Sequence, residues 1–219
     1  MNTKQQPTRI KKIGKTFLKV SMSILLLLGL LLVGIFIVHR QLLQREAKQI
    51  EDYGQKIKVF DGTMNVTIDG SGPQTIVLLT GFGTASPRLD FTPLINELKN
   101  NYKVVTIEPF GYGLSSQTRR TRSLEHMAEE IHEVLRQLEL NHFILMGHSI
   151  AGLYSLEYIN RYPGEATAFI GIDTSVPKQP WPGYNSAPID FLAKSGIMRV
   201  FMKIFGKEIP EDGTEAHRQ

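Results

Sequence analysis

The clearest pattern along the chain is one long apolar run near the N-terminus. Residues 20–38 contain no charged side chain, and residues 24–38 consist only of Ile, Leu, Val, Phe and Gly. At 1.5 Å per residue, a helix of this length reaches about 29 Å, which matches a hydrocarbon core of roughly 30 Å. The pattern therefore predicts a transmembrane helix over residues 20–38.

Beyond this run, strand patterns alternate with helix patterns. Short apolar runs predict strands over residues 56–60, 63–68, 75–80, 102–107, 142–146 and 168–172, with Asp61-Gly62 as the turn of a first hairpin. A spacing of three to four residues between apolar positions predicts helices over residues 89–99, 123–140, 150–162 and 189–205. Strands joined by crossover helices form an α/β fold with a mostly parallel sheet and helices on both faces.

The charges are distributed unevenly. The chain of 219 residues has a net charge of +4, but residues 1–19 carry six Lys or Arg and no acid, so the remainder is slightly acidic. The basic balance therefore belongs to the tail, and we expect no nucleic-acid partner. Because positive charge flanks the cytoplasmic end of a span, we expect a cytoplasmic N-terminus and an extracytoplasmic folded domain.

The apolar run could be an uncleaved signal anchor or a cleaved signal peptide. The run is long for a signal peptide, and residues 38–42 offer no small-x-small cleavage site, which favours a single-pass anchor. The expected organisation is a basic cytoplasmic tail (residues 1–19), a transmembrane anchor (20–38), a juxtamembrane spacer (39–55), an α/β core (56–176) and the start of a cap region (177–219).

The composition excludes several kinds of chemistry. The chain contains no cysteine, so it has no disulfide scaffold, no thiol nucleophile and no thiolate zinc site. Nothing in the sequence indicates a metal or an organic cofactor, and we expect neither.

The residues with the strongest chemical signal are Gly147-His148-Ser149-Ile150-Ala151-Gly152. An apolar strand leads into a small residue, a serine, further small residues and a helix, which predicts a tight strand-to-helix turn with Ser149 at its apex. The amide of Ile150 would then point toward a developing oxyanion. The alternative is an ordinary serine that caps a helix.

Two more glycine-containing segments follow predicted strands. Thr80-Gly81-Phe82-Gly83 follows the strand over residues 75–80, and its turn can present the amide of Phe82 to the same oxyanion. Glu108–Ser115 follows the next strand and can form a compact loop beside the site. Taken singly, each segment is also consistent with a plain turn.

Together and in this order, the three segments resemble the α/β-hydrolase family. Residues 147–152 match its nucleophile elbow, with Ala151 in place of a glycine. Residues 80–83 match its oxyanion turn, with Thr80 in place of histidine. Residues 108–115 match a further loop motif, with Glu108 in place of aspartate. The resemblance runs from about residue 56 to residue 176. It implies the family's sheet with helices on both faces.

The resemblance also implies roles for individual residues. Ser149 would be the nucleophile, and the amides of Phe82 and Ile150 would form the oxyanion hole. Gly147, His148, Ala151 and Gly152 would form the elbow around the serine. Asp173, at the end of the sixth strand, is the one acid at a position that the family uses, although a loop-capping carboxylate is the favoured explanation for it.

The family's histidine base is not identifiable. His217 is the one histidine after the serine and lies in a polar tail, whereas His126, His132 and His142 precede the serine and suit surface or core positions. The chain is also shorter than a complete fold of this type. We therefore expect the last core strands to be missing.

Three functions follow as expectations. The first is hydrolysis of an ester-like or other acyl substrate, small or lipid-like, by a membrane-anchored hydrolase. The second is a truncated, inactive homologue that acts as a binding module. The third is a dinucleotide-binding oxidoreductase that uses residues 81–86 as its phosphate loop and Glu108 for the ribose, although the third glycine of that motif is missing.

Overall fold

The structure, a computed structural model, describes residues 6–178 and 187–206. The chain forms two compact units: residues 52–181, and residues 1–51 together with residues 182–219. His217 and, with it, residues 179–186 and 207–219 of the predicted cap region lie outside the described residues.

The described residues form seven helices and six strands. The helices are α1 (Gln6–Ala47), α2 (Pro87–Asp90), α3 (Thr92–Leu98), α4 (Leu124–Gln137), α5 (Ala151–Arg161), α6 (Ala187–Ser195) and α7 (Ile197–Phe205). The strands are β1 (Gln55–Val59), β2 (Gly62–Asp69), β3 (Gln74–Leu79), β4 (Tyr102–Glu108), β5 (Phe143–His148) and β6 (Ala166–Ile172).

The six strands form one mixed, mostly parallel sheet in the order β1-β2-β4-β3-β5-β6. β4, β3, β5 and β6 run parallel, whereas β1 and β2 pair antiparallel with each other and β2 with β4. The parallel strands therefore bring their carboxyl ends, and the loops that follow, to one edge of the sheet, where α/β proteins bind ligands.

Apolar side chains pack on both faces of this sheet. One cluster joins the sheet to α4 and α5 and includes Ile131, Leu135, Tyr154 and Tyr158, all at most 2% exposed. A smaller cluster around the fully buried Ile95 joins the other face to α3. The predicted α/β fold with helices on both faces is confirmed.

The first hairpin turns one residue earlier than predicted. Val59 pairs with Gly62, so the turn consists of Phe60 and Asp61, with Phe60 at φ 46°. Gly62 lies in β2, where a Cβ atom would sit 2.3 Å from the Ser116 hydroxyl. The glycine is therefore needed for close packing and not for the turn.

Two predicted helices are each divided. The helix expected over residues 89–99 is interrupted at Phe91, because Pro93 in the first turn of α3 lacks the N–H group that would continue the preceding helix. The helix expected over residues 189–205 is interrupted at Gly196, whose φ of 84° is left-handed. His142, expected to open a strand, instead precedes β5.

The other unit contains α1, α6 and α7. α1 extends well beyond the predicted anchor at both ends, and residues 13–47 form a helix long and apolar enough to cross a membrane. Most large apolar side chains of the span are exposed; Leu25 is 68% exposed, and Ile35 is half-buried. This finding agrees with the predicted span in length and composition.

Candidate active site

Ser149 stands between β5 and α5 in a strained backbone conformation. Its φ is 54°, in the left-handed region that a serine seldom adopts and that costs on the order of 1–3 kcal/mol. Ile150 follows with helical angles and begins α5. The backbone conformation that the sequence predicts for this turn is confirmed.

Backbone hydrogen bonds hold the strained turn in place. The Ser149 N–H donates to the carbonyl oxygen of Ile172 at 3.2 Å, and the Ser149 carbonyl accepts from the N–H groups of Gly152 at 3.1 Å and Ser175 at 2.9 Å. The turn is therefore fixed by α5, by the end of β6 and by the loop after it. These bonds offset the local strain.

The small residues around Ser149 allow this close packing. A Cβ atom on Gly152 would lie 2.6 Å from the carbonyl oxygen of Ser175 and 2.7 Å from Cβ of Thr174. Ala151, where the motif usually has glycine, buries its methyl group completely. Only Gly152 thus requires the absence of a side chain on the helix side of the turn.

The loop after β3 lies directly against the serine. A Cβ atom on Gly81 would sit 2.7 Å from Cβ of Ser149 and 3.0 Å from Nδ1 of His148. The buried Tyr154 hydroxyl donates to the carbonyl of Thr80, which fixes the start of this loop. Phe82 follows with a side chain that is 74% exposed. Its backbone is thus held one residue from the contact with Ser149.

Gly81→Ala tests this contact. The added methyl group must displace the serine or the loop, so we expect reactivity of Ser149 toward a fluorophosphonate to fall at least about tenfold and stability to fall by about 1–3 kcal/mol. Gly83→Asn is the matched control, because Asn tolerates a positive φ and nothing lies within 4 Å of the position of its Cβ. Equal labelling of both variants would contradict the close approach.

Asp173 lies at the same edge of the sheet. His148 pairs with Ile172 in the register of the neighbouring strands β5 and β6. Ser149 and Asp173 directly follow this pair, each at the end of its own strand. Asp173 is exposed and has a φ of 45°. His148 itself turns its ring edge toward Phe91, with centroids 6.0 Å apart.

The other histidines with described side chains lie elsewhere in the structure. His126 bonds Thr121 in the loop before α4, and His132 stacks on Tyr162 at 3.7 Å and approaches Glu165 at 3.3 Å. His142 is exposed, and His39 belongs to α1. Within residues 6–178 and 187–206, no histidine hydrogen-bonds the Ser149 hydroxyl. The predicted base is therefore not assigned.

Glu108 has a role that the sequence analysis missed. Its carboxyl group is fully buried and accepts hydrogen bonds from the Tyr53 hydroxyl at 2.6 Å, the Asn65 side-chain amide at 3.1 Å and the Leu114 N–H at 2.8 Å. A Cβ atom on Gly113 would lie 2.0 Å from this carboxyl group. A carboxyl group enclosed in this way does not fit the ribose-binding role of the oxidoreductase hypothesis.

Tyr53 joins this network although the sequence analysis assigned it to the spacer. Partial burial and the hydrogen bond to Glu108 raise the pKa of Tyr53 to about 12. Its hydroxyl therefore remains a donor at neutral pH, and it also lies 2.7 Å from the Ser86 hydroxyl. The spacing between Tyr53 and Glu108 is 55 residues, so no local pattern could reveal the contact.

An apolar groove of about 490 Å³ begins beside the turn. Residues of α5, the start of α4 and the loop after β6 line it, among them Leu124, Ile150, Leu153, Leu156, Val176 and Pro177. The groove thus lies beside Ile150, the candidate oxyanion residue. It has the size and apolar character of a small-ligand site.

The chain belongs to the α/β-hydrolase family. The family model described as alpha/beta hydrolase fold matches residues 74–194, more than half of the chain. The match covers β3 through α6 and includes Gly81, Glu108, Ser149 and Asp173. The fold and the family that the motifs predict are therefore confirmed.

Individual relatives agree with this assignment. The chain is 29% identical over 202 residues to the protein YbdG of Bacillus subtilis (strain 168), a match that covers 92% of this chain and 62% of YbdG. It is 30% identical over 111 residues to a 2-(acetamidomethylene)succinate hydrolase of Mesorhizobium japonicum, covering 51% of this chain and 39% of that enzyme. The chain thus spans less than two thirds of the length of these relatives.

A solved structure gives the same result. An esterase from Exiguobacterium antarcticum superposes with a TM-score of 0.56 at 27% identity, over 73% of this chain and 64% of the esterase. The similarity to YbdG covers so much of this chain that it must extend into α1. The aligned region therefore includes most of α1.

Proposed function

We propose that the protein is a membrane-anchored serine hydrolase that cleaves an ester-like or other acyl substrate. The observation that carries the proposal is the strained turn at Ser149, which is held at the carboxyl edge of the sheet with the loop of Gly81 packed against it. Strain of this kind persists only where surrounding structure enforces it, and it is typical of functional sites. Hydrolases among the relatives support the same class of activity.

The proposed chemistry uses the serine and two backbone amides. The Ser149 hydroxyl attacks the acyl carbonyl carbon, its proton passes to a general base, and the leaving group departs from the tetrahedral intermediate. The N–H groups of Ile150 and Phe82 stabilise the negative oxygen of that intermediate. Loss of one such donor costs on the order of 10²–10³ in turnover. Water then releases the acyl group from the serine.

The surroundings of Ser149 offer a binding groove for the substrate's acyl group and a candidate acid. The groove beside Ile150 is apolar and suits an aliphatic or aromatic acyl chain. Asp173 is the acid that neighbours Ser149 in the strand register, and we assign it the orienting role for the base. The base itself would be a histidine that approaches Ser149 and Asp173 together.

The decisive experiment is labelling of the full chain in membranes with a fluorophosphonate, combined with hydrolysis of p-nitrophenyl esters of increasing acyl length. We expect labelling at Ser149 and turnover that rises with chain length as the groove fills. Labelling without turnover would limit the proposal to an activated serine. Absence of both, in a chain whose circular dichroism shows a folded domain, would overturn the proposal.

A second candidate is a non-catalytic binding module. It is favoured by one observation. A serine hydrolase requires a base that hydrogen-bonds its serine, and among the described residues no histidine hydrogen-bonds Ser149. In that case, the groove beside Ile150 would hold a ligand without cleaving it. An ester that binds in equilibrium dialysis and is recovered intact would distinguish this candidate from the hydrolase.

We also propose that α1 is a single-pass anchor, with the N-terminus in the cytoplasm and the α/β unit outside. The support is the apolar helix over residues 13–47 and the six cations of residues 1–19. Because the chain has no cysteine, Lys4→Cys and Ser71→Cys are clean reporters. A membrane-impermeant maleimide added to intact cells should label Ser71→Cys at least about tenfold more than Lys4→Cys. The reverse ratio would contradict this orientation.

A further inference from the structure

α7 is a short helix with an unusually one-sided composition. Of its nine residues, seven are apolar and two, Arg199 and Lys203, are basic. At 100° per residue, the two basic side chains fall on one side, and the apolar side chains cover the rest of the circumference. Such a helix needs an apolar environment on most of its surface and a polar one along a narrow strip.

The polar strip faces α1. The Arg199 guanidinium forms a two-pronged ion pair with the Glu46 carboxylate, at 2.6 and 2.7 Å, and its Nε donates to Nδ1 of His39 at 3.1 Å. Gly196, just before α7, approaches so closely that a Cβ atom there would lie 2.6 Å from Cβ of His39. This is a specific contact, because it needs both the glycine and the matched charges.

The apolar side of α7 is left uncovered. Phe201, Met202, Ile204 and Phe205 are each at least 50% exposed, and no residue of α7 is buried within the described part of the chain. Two phenylalanines, 5.1 Å apart between ring centroids, stand together on this surface. Contiguous exposed apolar surface of this kind marks an interaction site.

The position of the contact on α1 indicates which partner covers this surface. His39 directly follows the apolar run that ends at Val38, and Glu46 lies about 10 Å farther along the helix axis, at the aqueous side of a headgroup layer that is roughly 5–8 Å thick. A groove of about 530 Å³ joins apolar residues of the span, among them Ile35 and Val38, to Val200 of α7. α7 therefore begins where the hydrocarbon core ends, and its apolar surface continues that of the span.

We propose that α7 is an interfacial membrane helix, docked on α1 beside the end of the span, with Phe201, Met202 and Phe205 inserted at the boundary between headgroups and acyl chains. Interfacial helices of this type bury their apolar face about 5–10 Å into that boundary. The inference rests on the membrane anchor of the proposed function, and it means that the chain meets the bilayer twice.

The absence of cysteine allows a site-by-site test on the full chain. Phe201→Cys, Lys203→Cys and Leu28→Cys are each labelled with an environment-sensitive fluorophore and placed in vesicles of phosphatidylcholine and phosphatidylglycerol. Nitroxide lipids with a shallow or a deep spin label then report depth. Lys203→Cys is the matched control on the side that faces α1, and Leu28→Cys reports insertion of the span.

We expect the shallow nitroxide to quench the Phe201 position at least about twofold more than the Lys203 position, and the deep nitroxide to quench Leu28 most strongly. Arg199→Glu should reduce quenching at Phe201, and Glu46→Arg in the same chain should restore it. As a less disruptive variant, Phe201→Trp with Trp181→Phe in brominated-lipid vesicles should give the same depth.

The outcomes separate this inference from the anchor on which it rests. Quenching at Leu28 with a water-exposed fluorophore at Phe201 would overturn the interfacial helix alone. Quenching at Leu28 with an apolar but unquenched Phe201 position would also overturn it, because protein and not lipid would then cover the helix. No quenching at Leu28 would remove the anchor, and the interfacial helix with it.

Discussion

A chain that carries Ser149→Ala is expected to lose all fluorophosphonate labelling and to hydrolyse esters at least about 10³-fold more slowly than the unaltered chain. Ser149 is the residue held at φ 54° between β5 and α5, with hydrogen bonds from its neighbours on three segments. Alanine fits the same position without a steric clash. The loss should therefore come without a change in folding, which circular dichroism checks.

Two further variants make this result specific. Ser71→Ala removes an exposed serine in the turn between β2 and β3 and should label like the unaltered chain. Ser149→Cys introduces the only thiol, which iodoacetamide should modify if the turn exposes the side chain. A reactive Ser149→Cys thiol beside an unreactive serine would mean that the site is open but lacks a base, which favours the binding module. Retained labelling of Ser149→Ala would refute the proposed nucleophile.

Glu108→Gln is expected to destabilise the α/β unit by about 2–4 kcal/mol. Four donors converge on the buried carboxyl group: the Tyr53 hydroxyl, the Asn65 amide, the Leu114 N–H and, at 3.5 Å, the Ser86 hydroxyl. A glutamine replaces one acceptor oxygen with an NH₂ group. At the Oε2 position this group would face the Asn65 amide and the Leu114 N–H, and at the Oε1 position it would force the Tyr53 hydroxyl to donate to Ser86 instead, so neither orientation keeps the native set of hydrogen bonds. Thermal unfolding of the full chain in detergent, followed by near-UV circular dichroism, should show a Tm lower by roughly 10 °C.

Glu97→Gln is the matched control. Glu97 is an exposed residue of α3, so the same change of charge and shape should alter stability by less than about 0.5 kcal/mol. If both variants keep the Tm of the unaltered chain, the buried network does not stabilise the fold. If the Tm falls equally in both variants, the effect comes from net charge.

Local sequence signals were sufficient for most elements of the α/β unit. β3 and β4 are continuous apolar runs, and the helix that begins after Ser123 has an apolar stripe and a capping serine whose hydroxyl accepts the His126 N–H. Such signals lie within a few residues of each other. They are readable because strand alternation, helix periodicity and caps depend on near neighbours.

The boundaries that the sequence analysis misplaced depend on distant residues. Asp61-Gly62 is a dipeptide typical of a turn, but Gly62 lies in β2, where Ser116 and Phe110 occupy the space that a side chain would need. Gly196 divides the last helical stretch because it must approach His39, a residue 157 positions earlier in the chain. Neither neighbour can be inferred from the residues around the glycine.

The site divides in the same way. The strained turn at Ser149 was predictable, because a strand, a serine among small residues and a helix occur consecutively in the chain. The contact of Gly81 with Ser149 and the bonds of Tyr53 and Asn65 to Glu108 were not, since they join residues 43 to 68 positions apart.

The sequence by itself determined the apolar N-terminal helix, the alternation of strands and helices, the family and the position of the candidate nucleophile, because each is encoded by contiguous residues. Only the tertiary structure decided that Glu108 is enclosed by Tyr53, Asn65 and Leu114, and that α7 turns its basic strip to α1 and leaves its apolar side uncovered. These features depend on how the folded chain brings residues that are distant in sequence together. A hydrogen bond between such residues, or a helix face left exposed, is defined only by the tertiary fold.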